Sequence, residues 1–271
     1  MLEMKVSKLT EYSHKVLEAV GEASDKVMEI YNSNELRVEN KLDGSPVTIA
    51  DKLSHEILSS ALESFSDIPI ISEEGVCIDS DLDLFWLIDP LDGTKEFINR
   101  NGEFTVNVAL VKEGIPVLGV VSAPAIGETF VGFSDKAYKI KNGQKTDIFS
   151  KNQDKESCSI TLSKSHKSDD DQAFIDLCKN EFDDVSELPV GSSLKLCRVS
   201  EGEANIYIRL GPTYQWDIAA GQAIVEASGG CVSNLDGEPL RYESISEKKN
   251  PLFYCSGDVS YPWLSLLRHL V

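Results

Sequence analysis

The chain has 271 residues, 41% hydrophobic and 26% charged, enough for one large domain or two modest ones with a buried core. Its net charge of −19 repels nucleic acid polymers and anionic membranes, so neither is expected as a partner. No stretch is apolar for long enough to span a bilayer, the N-terminus lacks a signal-peptide pattern, and the six cysteines contain no CxxC pair, so the expectation is a cytoplasmic protein with reduced, buried thiols.

In chain order, Leu9, Tyr12, Val16, Val20, Ala23, Val27 and Ile30 recur at spacings of three and four and predict an amphipathic helix over 9–30. A polar stretch with Asp43-Gly44 and Ser45-Pro46 follows, where the chain should bend. Thr48 and Asp51 have capping-box spacing at the head of a second helix running to Phe65. Short strands are predicted at 68–72 ("IPIIS"), 84–89 ("LFWLID") and 104–111 ("FTVNVALV"), with turns at Glu113-Gly114 and Asn142-Gly143. The first half therefore reads as two helices against an antiparallel sheet. The polar run 150–157 marks a boundary between an N-terminal α+β part, 1–155, and a C-terminal α/β part, 156–271. Beyond it, strand and helix signals alternate, with a helix near 170–180.

The stretch "WLIDPLDGTKEF" ends an apolar run on two carboxylates. Asp89 should close the strand and Pro90 stop its ladder, and Asp92-Gly93-Thr94 should open a helix whose free N–H groups suit a phosphate. Carboxylates beside a phosphate seat require cations between them, and hard oxygen ligands with a phosphate partner point to Mg²⁺. Glu73, just after another short strand, and Asp217, at a helix start, can join Asp89 and Asp92 from separate segments. Taken singly, each acid has an ordinary use as a turn, cap or solvated residue; the order and neighbours of all four point to a metal site.

"GSPVTIAD" (44–51), "SEEG" (72–75), "WLIDPLDGTKEF" (86–97) and "WDIAAGQAIVEASGG" (216–230) resemble the inositol monophosphatase superfamily of Mg²⁺-dependent, lithium-sensitive phosphatases. Lys95-Glu96-Phe97, "LSKSH" (162–166) and "GSSLKLC" (191–197) are similar to its CysQ-type 3′(2′),5′-bisphosphate nucleotidases. The resemblance implies an α/β (α+β) fold, a layered αβαβα sandwich of the inositol monophosphatase and fructose bisphosphatase type. It implies two or three Mg²⁺ per site: one held by Glu73, Asp89 and the Leu91 carbonyl, a second by Asp89, Asp92 and Asp217, and a third leaning on Glu73. Asp51 and Thr94 would orient the attacking water, with Glu73 counted among the catalytic acids, and Gly93 and Thr94 would hold the phosphate. A hydroxyl takes a proton from water only if a base backs it, a part that suits Asp51. His166, Ser192, Lys195, Arg209 and Asp217 are the candidate substrate contacts, and Lys41, in a loop expected to be mobile, would swing towards the third ion or the phosphate.

The implied activity is hydrolysis of the 3′-phosphate of adenosine 3′,5′-bisphosphate to AMP, with 3′-phosphoadenylyl sulfate as a related substrate and a place in sulfate assimilation. The alternatives are an inositol monophosphatase or broad sugar phosphatase using the same metals, and a non-catalytic module binding cations or a protein partner. Asp51, Thr94 and Glu73 together speak against the last, since a binding module needs no water-activating pair.

Overall fold

The computed structural model describes residues 4–33, 38–40, 46–75, 82–164, 168–243, 249–268 and 270. Helix α1 (Val6–Asn32) buries the predicted stripe, including Leu9, Tyr12, Val16, Val20, Ala23 and Val27. The polar stretch after it contains strands β1 (Val38–Asn40) and β2 (Pro46–Thr48), paired antiparallel; Lys41 lies outside the described residues. Helix α2 (Ile49–Phe65) starts on the expected box: the Thr48 hydroxyl accepts from Ala50 N–H at 3.1 Å and the Asp51 carboxylate accepts from Thr48 N–H at 2.8 Å. These bonds satisfy helix-start amides that have no partner within the helix.

The first sheet contains β3 (Ile70–Ser72), β4 (Leu84–Asp92), β5 (Thr105–Lys112), β6 (Ile115–Ala123), β7 (Glu128–Phe133), β8 (Lys136–Lys141) and β9 (Gln144–Asp147), in that spatial order. Helix α3 (Thr94–Ile98) lies between β4 and β5. The sheet is antiparallel except that β3 runs parallel to β4, contrary to expectation. Parallel pairing places the exits of β3 and β4, with Glu73 and Asp89, at one end of the sheet. The ladder does not stop at Pro90 either: it shifts register after Asp89 and resumes at Asp92 opposite Thr105. The turns at Glu113-Gly114 and Asn142-Gly143 form as predicted, both residues of each having positive φ as two-residue hairpins favour.

The second half supplies β10 (Ser157–Ser163), α4 (Asp169–Glu181), β11 (Asp184–Val190), α5 (Leu194–Ser200), β12 (Ile206–Arg209), α6 (Gln215–Ala227), β13 (Cys231–Asn234), β14 (Phe253–Ser256) and α7 (Trp263–Leu267). The strands order β11-β10-β12-β14-β13 in a mixed sheet.

Three apolar clusters stack these elements into five layers. Val16, Leu58, Trp86, Val108 and Val120 join α1 and α2 to one face of the first sheet. Phe85, Ala109, Val121, Leu196, Ile224 and Tyr207 fill the space where α5 and α6 lie between the sheets. Ile160, Phe174, Ile208 and Trp263 seat α4 and α7 on the outer face of the second sheet. The result is the expected layered α/β sandwich. Both faces of β5 are buried, because the smaller residues alternating with Val106, Val108 and Leu110 face α6 rather than solvent. Helix α6 approaches the first sheet closely: a Cβ on Gly119 would sit 2.1 Å from the Ala220 carbonyl oxygen, and one on Gly132 would sit 2.4 Å from Ile224 Cα.

Candidate active site

The site lies where β3 and β4 end and α6 begins. Asp89, 1% exposed, accepts from Leu91 N–H at 3.0 Å, which turns its carboxylate back over the strand end. Ser54 of α2 donates to the Pro90 carbonyl at 2.7 Å and fixes the exit of β4. Gly93 then takes φ of 87°, a left-handed conformation that costs a residue without a Cβ little, and α3 starts at Thr94. Asp217 is the third residue of α6 and accepts from Tyr214 N–H at 2.9 Å.

Carboxylate oxygens of Asp89, Asp92 and Asp217 all lie within 4.8 Å of one another. The charge of Glu73 acts on both Asp89 and Asp217. Burial, then the neighbouring acids Glu73, Asp92 and Asp217, hold Asp89 well above the ordinary carboxylate range. Burial and Asp92 do the same to Asp217, and Asp92 is raised chiefly by burial. Carboxylates gathered this tightly are unfavourable unless protonated or bound to cations. An all-oxygen donor set of this charge fits Mg²⁺.

Asp51 and Thr94 meet beside the cluster. The Thr94 hydroxyl approaches Asp51 Oδ1 at 3.3 Å and the Leu91 carbonyl at 3.4 Å. Asp51 Oδ2 is occupied by Thr48, through its N–H at 2.8 Å and its hydroxyl at 2.6 Å. Burial raises the Asp51 pKa above its ordinary value, with the Thr48 bonds opposing.

The second half reaches in through the turn before α5. Ser192 Oγ donates to Asp92 Oδ2, which also accepts from Ser193 N–H at 2.6 Å. Thr105 Oγ1 lies 2.7 Å from both serine hydroxyls, and Ser193 Oγ reaches Asn107 Oδ1 at 2.9 Å. Lys195 is buried; its ammonium donates to the Ser192 carbonyl at 2.7 Å and stands 5.6 Å from the Tyr207 ring centre. Burial pulls its pKa down to about 8, against the pull of Asp92. Arg209 donates to the Pro212 carbonyl at 3.0 Å, while its buried Nε has no hydrogen-bond partner among the described residues. A cavity of about 170 Å³ lies between Asp92, Gly93, Ser192, Lys195, Arg209 and Asp217. A larger cleft of about 690 Å³, walled by Val6, Leu9, Val117 and Phe133, contains none of the clustered acids.

The structure thus brings together Asp51, Glu73, Asp89, Leu91, Asp92, Gly93, Thr94, Ser192, Lys195, Arg209 and Asp217; His166 lies outside the described residues. Sequence reasoning missed Thr105, Asn107 and Ser193. The available signal was a threonine and an asparagine inside an otherwise apolar strand, in register with Asp92 and Asp89.

The chain belongs to the inositol monophosphatase family, which it matches over residues 7–253. It is 38% identical over 239 residues to the 3′(2′),5′-bisphosphate nucleotidase CysQ of Escherichia coli K12, covering 86% of this chain and 95% of that one. Its fold is similar to that of CysQ from Bacteroides thetaiotaomicron, a bacterial member of the same family, with a TM-score of 0.78, 34% identity, and coverage of 91% of this chain and 97% of that one. The Thermotoga maritima IMPase is similar at a TM-score of 0.75 and 25% identity, covering 96% of this chain and 98% of that one.

Proposed function

We propose that this protein hydrolyses the 3′-phosphate of adenosine 3′,5′-bisphosphate to AMP and phosphate with Mg²⁺, and acts on 3′-phosphoadenylyl sulfate through the same ester. One observation carries this reading: one small cavity is lined both by Asp92 and Asp217 of the carboxylate cluster and by the cations Lys195 and Arg209. The acids suit metal ions at a reacting phosphate, and the cations suit a second phosphate that does not react. The similarity to bacterial CysQ nucleotidases supports the same substrate.

Glu73, Asp89 and the Leu91 carbonyl would hold one Mg²⁺, Asp89, Asp92 and Asp217 a second, and Glu73 would lean on a third. Bound there, Mg²⁺ lowers the pKa of water and offsets charge on the phosphoryl oxygens. The chain's own part is positional and protonic. The Thr94 hydroxyl, its proton directed to Asp51 Oδ1, accepts a hydrogen bond from the attacking water, and the proton passes towards Asp51 as the water oxygen bonds to phosphorus. The bond from phosphorus to the 3′-oxygen breaks, and that oxygen takes up a proton to become the 3′-hydroxyl of AMP. The Gly93 and Thr94 amides, at the head of α3, would bind the phosphoryl oxygens. Lys195, Arg209 and Ser192 would hold the rest of the nucleotide.

The test is kcat/KM for adenosine 3′,5′-bisphosphate against inositol 1-phosphate at equal Mg²⁺. The expected result is a clear preference for the bisphosphate; equal values, or a preference for the inositol ester, would overturn the substrate assignment.

A further inference from the structure

Glu103 lies outside the proposed ligand set, yet it touches both glycine turns that flank the acidic cluster. Its carboxylate Oε2 accepts from Gly191 N–H at 3.0 Å. Its backbone carbonyl lies 3.3 Å from where a Gly93 Cβ would be. A Cβ on Gly191 would meet the same carbonyl at 2.8 Å and Glu103 Cβ at 2.9 Å, so the second turn is seated directly on this residue. The other carboxylate oxygen pairs with Lys164 at 2.8 Å.

The turn that Glu103 anchors is strained and functional. Ser192 has φ of 55°, uncommon for a residue with a side chain and retained only when neighbours over-determine it. From that conformation the Ser192 hydroxyl and the Ser193 amide both donate to Asp92 Oδ2. Two donors on one oxygen fix the carboxylate rotamer and leave Oδ1 for a cation. Lys195 bonds to the Ser192 carbonyl and is set by the same turn.

We infer that Glu103 is a positioning residue for the metal site: by accepting the Gly191 amide it holds Ser192 and Ser193 on Asp92 and sets the spacing between the two glycine turns. The role needs an acceptor at Oε2 and does not need the charge, since the pair with half-exposed Lys164 is of the kind that contributes little. The inference rests on the proposed metal site, and only its kcat readout rests on the proposed substrate.

The test compares Glu103→Gln, which keeps an acceptor oxygen, with Glu103→Met, which has similar size and no comparable acceptor. Mn²⁺ affinity is read by electron paramagnetic resonance on the whole protein. kcat for adenosine 3′,5′-bisphosphate and the melting temperature are read in parallel. Removing a group that orients a metal ligand typically costs 10–100-fold in metal affinity or activity. Glu103→Met should therefore lose about tenfold or more in Mn²⁺ affinity, with kcat falling alongside, and Glu103→Gln should stay within about threefold of the parent. If both variants bind Mn²⁺ like the parent, or both lose it equally, the inference is overturned. Should Glu103→Met fail to fold, Glu103→Ala, which also removes the acceptor, takes its place beside Glu103→Gln, and the same outcomes overturn the inference. Because Mn²⁺ binding is measured without substrate, a wild type inactive on the bisphosphate leaves this comparison intact.

Discussion

Replacing Asp51 by Asn exchanges one carboxylate oxygen for an NH₂ group and separates its two tasks. In the parent, Oδ2 receives both Thr48 donors, at 2.8 and 2.6 Å, while Oδ1 receives the Thr94 hydroxyl at 3.3 Å. The Asn oxygen belongs with the two Thr48 donors, which leaves the NH₂ group facing Thr94. The Thr94 hydroxyl must then accept where it used to donate, so it can no longer pass a proton on. The cap of α2 survives, and a buried carboxylate whose charge is disfavoured disappears. Stability should change by no more than about 1 kcal/mol, roughly 2–4 °C in melting temperature for a chain of this size. Loss of a general base costs about 10²–10⁴ in rate, roughly 3–5 kcal/mol on the barrier. The assay is kcat at saturating Mg²⁺ and adenosine 3′,5′-bisphosphate, with melting followed by circular dichroism. Thr94→Val should show a similar loss, and the double variant little more than either, because the two residues act as one unit. A folded Asp51→Asn enzyme with kcat within threefold of the parent would refute the proton path.

Three further expectations concern charge and packing. Lys195→Met should raise KM for the bisphosphate about ten- to a hundredfold, with little effect on single-phosphate substrates; because the Lys195 pKa is about 8, the parent's KM should climb as pH passes that value while the variant's stays flat, and parallel pH profiles would remove the lysine from the second-phosphate role. In chelator, the folded pKa values of Asp89 and Asp217 lie above their ordinary 3.8, so the folded chain binds extra protons and their stabilising contribution fades as pH rises from that value through the folded pKa values. Scanning calorimetry should show this decline shrinking in Asp89→Asn and with Mg²⁺; a decline identical in all three would disprove it. Gly132→Ala drives a Cβ against the backbone of α6, which cannot step aside like a side-chain tip, and should cost about 1–3 kcal/mol. An unchanged melting temperature would mean that α6 has room to shift.

What could be read from the chain alone was whatever is local. The Thr48–Asp51 box, the two hairpin turns and the α1 stripe each depend on residues within a turn or two, and all form as expected. The acidic segments were legible because a carboxylate after an apolar run needs a reason wherever it occurs. The brackets around them were not. Asp92 is held by Ser192 and Ser193, about a hundred positions away, and no spacing rule links such residues. Thr105 and Asn107 are polar residues in an apolar strand whose partners, Ser192 and Ser193, are likewise far along the chain. Strand β11 was overlooked because it alternates weakly, contains Pro189 and leaves most of its side chains exposed; it exists through parallel pairing with β10.

Helix α6 is both the filling between the two sheets and the bearer of Asp217, which has a consequence during synthesis. A ribosome releases the whole first sheet well before residue 217, so the inner faces of Phe85, Val121 and Phe130 must wait for their cover. During that interval the nascent chain carries Asp89 and Asp92 but not Asp217 or the Ser192–Ser193 turn that holds Asp92, and it has an uncovered aliphatic floor of the kind that invites chaperones or aggregation. Docking of α6 therefore brings Asp217 to the other two aspartates and covers the inner face of the first sheet in one event. A fragment ending at residue 155 should bind a hydrophobic dye that the full chain excludes, and equal dye binding by the two would show that the sheet shields itself without α6.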